Sequence, residues 1–118
     1  MSAVTTHVLD AGTGRPAAGV AVRLDRLTDG LPDYSGSTAE PVARGVTDAD
    51  GRISDLGSAA LEPGTYRLTF ATGEWFAAAG RATFYPQVVV DFFLGEDRTH
   101  HHVPLLLSPF AYSTYRGS

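Results

Sequence analysis

Apolar side chains in this chain recur at every second position, in runs too short for anything but β-strands, and turn residues end each run. Successive side chains of a strand point to opposite faces. Val4, Thr6 and Val8 therefore share one face of a first strand, and Thr5, His7 and Leu9 share the other. Ala11–Pro16 is turn chemistry, with glycines free to take positive φ. Val20, Val22 and Leu24 aim a second strand at a core, with Arg23 and Asp25 facing out. Residues 28–41 read as a loop, and Pro41–Thr47 as a weak third strand. Asp48-Ala-Asp50-Gly51 is a hairpin turn. Arg52–Leu56 follows as a short fourth strand, Arg52 and Ser54 on one face and Ile53 on the other. Pro63-Gly64 is a turn, and Thr65–Ala71 is a fifth strand with Tyr66, Leu68 and Phe70 on one face. Glu74–Gly80 is the helix candidate, with Thr72 as its N-cap and Gly80 as its stop. A long sixth strand over Tyr85–Leu94, a turn over Gly95–Arg98, and strands near 100–107 and 110–116 complete an all-β set of eight strands and one short helix. Short strands with frequent turns predict a β-sandwich.

At 118 residues the chain is expected to form one domain over 1–118, and a domain of this size buries roughly two-thirds of its unfolded surface without staples. Only 19% of the residues are charged, below the usual ~25%, which leaves room for an oligomer interface. A net charge of −4 without a basic run excludes nucleic acid as an expected partner. No apolar run approaches the ~20 residues of a membrane span. There is no cysteine, hence no disulfide, thiol nucleophile or Cys-ligated metal. All nine cationic residues are Arg, so Schiff-base lysine chemistry is also excluded. The opening Met-Ser-Ala-Val-Thr-Thr-His lacks the charged and apolar regions of a secretory signal, and the expected location is cytoplasmic.

The chemistry-bearing residues are few. His7 alone reads as a strand-face histidine bonded to a neighbour, and Arg52 alone as an exposed hairpin charge. Three of the four histidines are consecutive, His100 to His102. Alternation puts His100 and His102 on one face and His101 on the other. The cluster reads as a metal site or as a polar strand start. Imidazole is the commonest ligand, but no Cys completes a site, and no metal or cofactor is expected. Asp48-Ala-Asp50-Gly51 lacks the remaining ligands of a calcium loop. The chain closes on Tyr115-Arg116-Gly117-Ser118, an ending rich enough in Tyr and Arg to suggest a packed or used terminus.

Several stretches also carry a resemblance. Thr6-His-Val-Leu-Asp10, Gly14-Arg-Pro16-Ala with Gly19-Val-Ala-Val22, Thr47-Asp-Ala-Asp-Gly-Arg52, Phe84-Tyr-Pro-Gln-Val88 and the run from His100 through Ser118 resemble, in this order, the motifs of the 5-hydroxyisourate hydrolases. These form the enzymatic branch of the transthyretin family. The Tyr-Arg-Gly-Ser ending and histidines at positions 7 and 102 distinguish that branch from the hormone carriers. Two departures stand out: His101 occupies a position that is usually Tyr, and the 28–41 loop lacks the Trp often found there.

The resemblance implies an eight-stranded transthyretin-like (prealbumin-like) β-sandwich, assembled as a homotetramer, a dimer of dimers with its sites in the channel between them. It implies His7, Arg52 and His102 as catalytic residues and Tyr115, Arg116, Gly117 and Ser118 as substrate-binding ones. The reaction it implies is hydrolysis of the lactam of 5-hydroxyisourate, in urate degradation. The product would be 2-oxo-4-hydroxy-4-carboxy-5-ureidoimidazoline. Histidines suit the two proton transfers near neutral pH, and the arginine's planar fork suits the ring oxygens. Which histidine is the base stays open at this point. The rival reading is a non-enzymatic transthyretin-like ligand-binding or structural module. A module of that kind has no need of this polar set.

Overall fold

A computed structural model describes residues 3–28, 38–57, 60–96 and 100–117. The predicted loop at 28–41 and the turn at 95–98 therefore lie partly outside the described residues, and Ser118 lies wholly outside them. The elements, in chain order, are β1 (Val4–Asp10), β2 (Arg15–Pro16), β3 (Ala21–Leu27), β4 (Ala39–Val46), β5 (Arg52–Leu56), β6 (Gly64–Phe70), α1 (Thr72–Ala78), β7 (Val88–Leu94), β8 (His101–Leu107) and β9 (Tyr112–Thr114).

Two sheets result. In one, β1 runs parallel to β8 over its whole length, and β9 pairs with the far side of β8. The other edge of β1 is shared, with β5 taking Val4–His7 and the two-residue β2 taking Leu9 and Asp10. The second sheet has the order β4-β3-β6-β7, antiparallel throughout. Val4, Val8, Leu56 and Leu105 from the first sheet meet Val22, Leu24, Tyr66, Leu68 and Phe70 from the second in a shared core. Phe76 of α1 is fully buried in that core. Burying such a ring contributes roughly 2–3 kcal/mol, which anchors a helix of seven residues, too short to hold its shape alone.

The alternation places most core residues correctly, and four details differ. Arg15–Pro16 forms a strand where a turn was predicted, because it fills the part of the β1 edge that β5 leaves open. The sixth predicted strand begins at Val88 rather than Tyr85. Backbone groups just before it are used elsewhere: Phe84 N–H donates to the Pro109 carbonyl, and the Pro86 carbonyl accepts from Gly73 N–H. Thr72 is not the N-cap. Ala71 caps α1 without a side-chain bond, its own N–H held by the Ala21 carbonyl, while Thr72 is buried inside the first turn. Asp25 lies on the outer sheet face as predicted, yet it is buried. It accepts from Arg23 Nε at 2.8 Å and stands in register with Arg67, which in turn forks onto Asp91. The helix stop does follow the prediction. Gly80 has φ +67, and the Arg81 N–H reaches back to the Phe76 carbonyl as the Gly80 N–H does to Ala77.

One buried ion pair joins three chain segments. Asp10, 2% exposed, accepts from Arg81 Nη1 at 2.6 Å and from the N–H groups of Gly12 and Thr13. The Arg81 guanidinium also covers the Phe76 ring at 4.9 Å. Burial by itself would raise the Asp10 pKa, but the bonds from Arg81, Thr13 and Gly12, together with the charge of Arg81, outweigh it and hold it below the ordinary value. A carboxylate with a depressed folded pKa stabilises the protein above its unfolded pKa and loses that contribution as pH falls through the folded one. Removing the carboxylate leaves the part-buried Arg81 guanidinium and the N–H groups of Gly12 and Thr13 without their acceptor. Asp10→Ala is therefore expected to lower the unfolding free energy by roughly 3 kcal/mol at neutral pH. In urea titrations the gap to wild type should narrow as the pH drops below the usual carboxylate range.

Candidate active site

The outward face of the first sheet gathers the polar residues. β1 buries Val4, Thr6 and Val8 and turns Thr5 and His7 outward. In the antiparallel β1–β5 pairing His7 stands opposite Arg52, and in the parallel β1–β8 pairing Thr5 stands opposite His102. Arg52 and His102 thus flank β1 from its two sides, about 10 Å apart across the sheet by the usual strand spacing and offset by two residues along β1. His101 points inward and is buried, as alternation requires.

The hairpin before β5 aims both Arg52 and His7. Asp48 Oδ1 accepts from the N–H groups of Asp50 and Arg52, closing the turn. These bonds, the one from Arg52 first, hold the Asp48 carboxyl below its ordinary pKa. Gly51 has φ +76, and a Cβ there would stand 2.3 Å from the Val8 carbonyl oxygen, so glycine is needed on both counts. The turn leaves the Asp50 carbonyl 2.9 Å from His7 Nε2. A carbonyl only accepts, so His7 carries a proton on Nε2, and Nδ1 is the nitrogen left for other partners.

His102 is held on three sides. Its Nδ1 lies 2.7 Å from Thr5 Oγ1, and the same oxygen lies 2.9 Å from His100 Nε2. The Gly117 N–H donates to the His102 carbonyl at 2.8 Å. The Gly117 backbone lies so close that a Cβ there would come within 2.5 Å of His102 Cδ2. Burial lowers the His102 pKa, as do the charge of Arg52 and then those of His100 and His7, against partial opposition from a hydrogen bond to the Thr5 backbone. These causes favour the neutral ring.

A cleft of about 300 Å³ opens here, lined by Thr5, Arg52, Ile53, Ser54, His100 and His102. His7 stands beside it, facing Arg52 across the strand pair. Tyr115 and Arg116 do not reach this cleft. With His102 and Phe93 they line an adjacent one of about 400 Å³, and both are exposed. Gly117 is buried against His102, at the join of the two. Thr5 was not singled out from sequence; its position on the His7 face was the available signal. Among the described residues no group of three or more His, Asp or Glu could hold a metal ion.

A family model described as HIUase/Transthyretin matches residues 4–117. The chain belongs to that family. It is 45% identical to a 5-hydroxyisourate hydrolase of Caulobacter vibrioides, over 100% of both chains. Its fold matches that of Klebsiella pneumoniae 5-hydroxyisourate hydrolase with a TM-score of 0.82 at 44% identity, covering 99% of this chain and 100% of the other. It also matches sea bream transthyretin in complex with thyroxine, with a TM-score of 0.85 at 32% identity, covering 98% and 94%. The family fold thus carries both an enzyme and a carrier, and the residues on the outward face must decide between them.

Gly117→Ala tests the seat of the tail on that face. The added methyl must displace the His102 ring, so the His102 imidazole resonances should shift, while far-UV circular dichroism and the melting temperature stay near wild type.

Proposed function

We propose that this chain is a 5-hydroxyisourate hydrolase, opening the lactam of 5-hydroxyisourate to 2-oxo-4-hydroxy-4-carboxy-5-ureidoimidazoline. The observation that carries the reading is the convergence of His7, Arg52 and His102 on one sheet face beside a cleft. Hormone carriers hold other residue types at the two histidine positions.

In this reading neutral His102 takes a proton from water, and the hydroxide attacks the lactam carbonyl carbon. The depressed pKa of His102 suits it to this role. Arg52 donates to the tetrahedral oxyanion and to the ring oxygens. As the C–N bond breaks, the leaving nitrogen receives a proton from the histidine pair, completing the hydrolysis without a covalent intermediate or metal. Gly117 keeps His102 in place, and the tail residues Tyr115, Arg116 and Ser118 order the substrate or its water.

His7→Ala and His102→Ala should each lower the rate by roughly 10²–10⁴, read by absorbance with freshly generated 5-hydroxyisourate against its spontaneous decay. The sign of the His102 shift fixes the pH profile. A base with a lowered pKa stays neutral further into acid, so the acid limb of kcat/KM should lie below the ordinary histidine value. Wild-type turnover in either variant would remove that histidine from the mechanism. No turnover above the spontaneous rate in wild type would leave the carrier or structural module as the better reading.

The same reading takes the protein to be a cytoplasmic homotetramer, a dimer of dimers. β7 and β9 end their sheets, with Phe93 in β7 80% exposed and Tyr115 just after β9 59% exposed. Exposed edge strands with aromatic side chains are ready templates for pairing with a second copy. A bulky fusion after Ser118 should split the tetramer or abolish hydrolysis, and the same fusion before Met1 should do neither. Mass measurement and the absorbance assay, run on both fusions, check this.

A further inference from the structure

The Thr5 hydroxyl lies between two imidazoles, 2.7 Å from His102 Nδ1 and 2.9 Å from His100 Nε2. A hydroxyl has one proton to give. If both nitrogens were bare, one of these contacts would set two lone pairs against each other. The hydroxyl can donate to His102 and accept from His100, accept from His102 Nδ1–H and donate to His100, or accept from both rings and give its proton elsewhere.

We propose that Thr5 is a positioning residue which, with His100 behind it, holds His102 in the tautomer with Nδ1 protonated and Nε2 bare. This rests on the hydrolase reading, in which His102 is the base. Thr5 takes Nδ1 and Gly117 packs on the Cδ2 edge, so Nε2 is the nitrogen left for a reactant. A base must present a lone pair there. Arg52 lines the same cleft and has only donors, so its charge favours a lone pair over an N–H on the nitrogen that faces the cleft. The other groups facing His102 are His7 on β1 and Tyr115 and Arg116 on the tail. Among the described residues none of these supplies an acidic partner. A neutral hydroxyl backed by a second histidine thus fills the place that a carboxylate takes behind a catalytic histidine elsewhere. With no negative charge behind the ring, the tautomer is fixed without raising the His102 pKa as a carboxylate would. His100 acts on His102 through Thr5 in this arrangement. Its Nε2 is the acceptor that keeps the Thr5 proton turned away from His102.

The test uses the full chain with nitrogen-15-labelled histidine. In wild type at mildly alkaline pH, His102 Nδ1 should resonate as a protonated nitrogen and Nε2 as a bare one, with His100 Nε2 also bare. Thr5→Val keeps the side-chain shape and removes both bonds. Both rings should then drift toward the Nε2–H form that free histidine prefers, and kcat should fall roughly 10- to 100-fold, as for loss of an outer partner of a functional histidine, with KM little changed. Thr5→Ser, which restores the hydroxyl, should recover the wild-type spectrum and most of the rate. A bare His102 Nδ1 in wild type overturns the proposal. So does a Thr5→Val protein whose His102 spectrum or kcat is unchanged, or a Thr5→Ser protein as impaired as Thr5→Val. The spectra need no substrate. If wild type fails to hydrolyse 5-hydroxyisourate, the hydrolase reading falls and the spectra still decide the coupling.

Discussion

Seven consecutive residue pairs join β1 to β8 in parallel, from Val4 opposite His101 to Asp10 opposite Leu107. The sheet, and the face that carries the candidate site, depend on that register. A slip of one residue would exchange the two faces of β1, sending Val4, Thr6 and Val8 into solvent and His7 into the core. The register is over-determined. Val4 and Val8 are fully buried, and the Thr6 hydroxyl donates to the Val103 carbonyl at 2.6 Å. The same burial that stabilises the sandwich therefore presents Thr5, His7 and His102 together, and no separate device is needed to align them.

The period of two made much of this legible in the sequence. It assigned inward and outward residues on β1, β5, β6 and β8, and it separated His101 from its two neighbours. It failed where a residue's surroundings come from distant chain. Asp25 alternates outward as read, but its burial comes from neighbouring strands. Tyr85-Pro86-Gln87 has strand-like composition, yet Pro86 and Phe84 bond to α1 and to the β8–β9 turn, and pairing starts only at Val88. Thr5 offered only one signal in sequence, that it shares a strand face with His7. The place of Thr5 between two imidazoles follows from a pairing across 97 positions. The tail motif was conspicuous, but sequence did not reveal that Tyr115 and Arg116 line a cleft beside that of Arg52.

The two histidines of the site are held by different means. The ring of His7 is fixed by a backbone carbonyl, so its proton is assigned by geometry alone. That of His102 is partly buried near the charge of Arg52 and bonded to a hydroxyl that can give or accept. Paired titratable groups whose surroundings differ in this way can take different parts in proton transfer. Here the difference arises from which strand edge each ring stands beside, His7 facing the β5 hairpin and His102 facing the chain end.

The carbonyl that holds His7 belongs to Asp50, but nothing in that contact uses the Asp50 side chain. The site thus reads a residue's main chain and is blind to its identity. That contact places no demand on the side chain at position 50, whereas the backbone of Gly51 leaves no room for one. A change in the backbone path at position 50 would unseat His7 as surely as losing the imidazole, whatever side chain stood there.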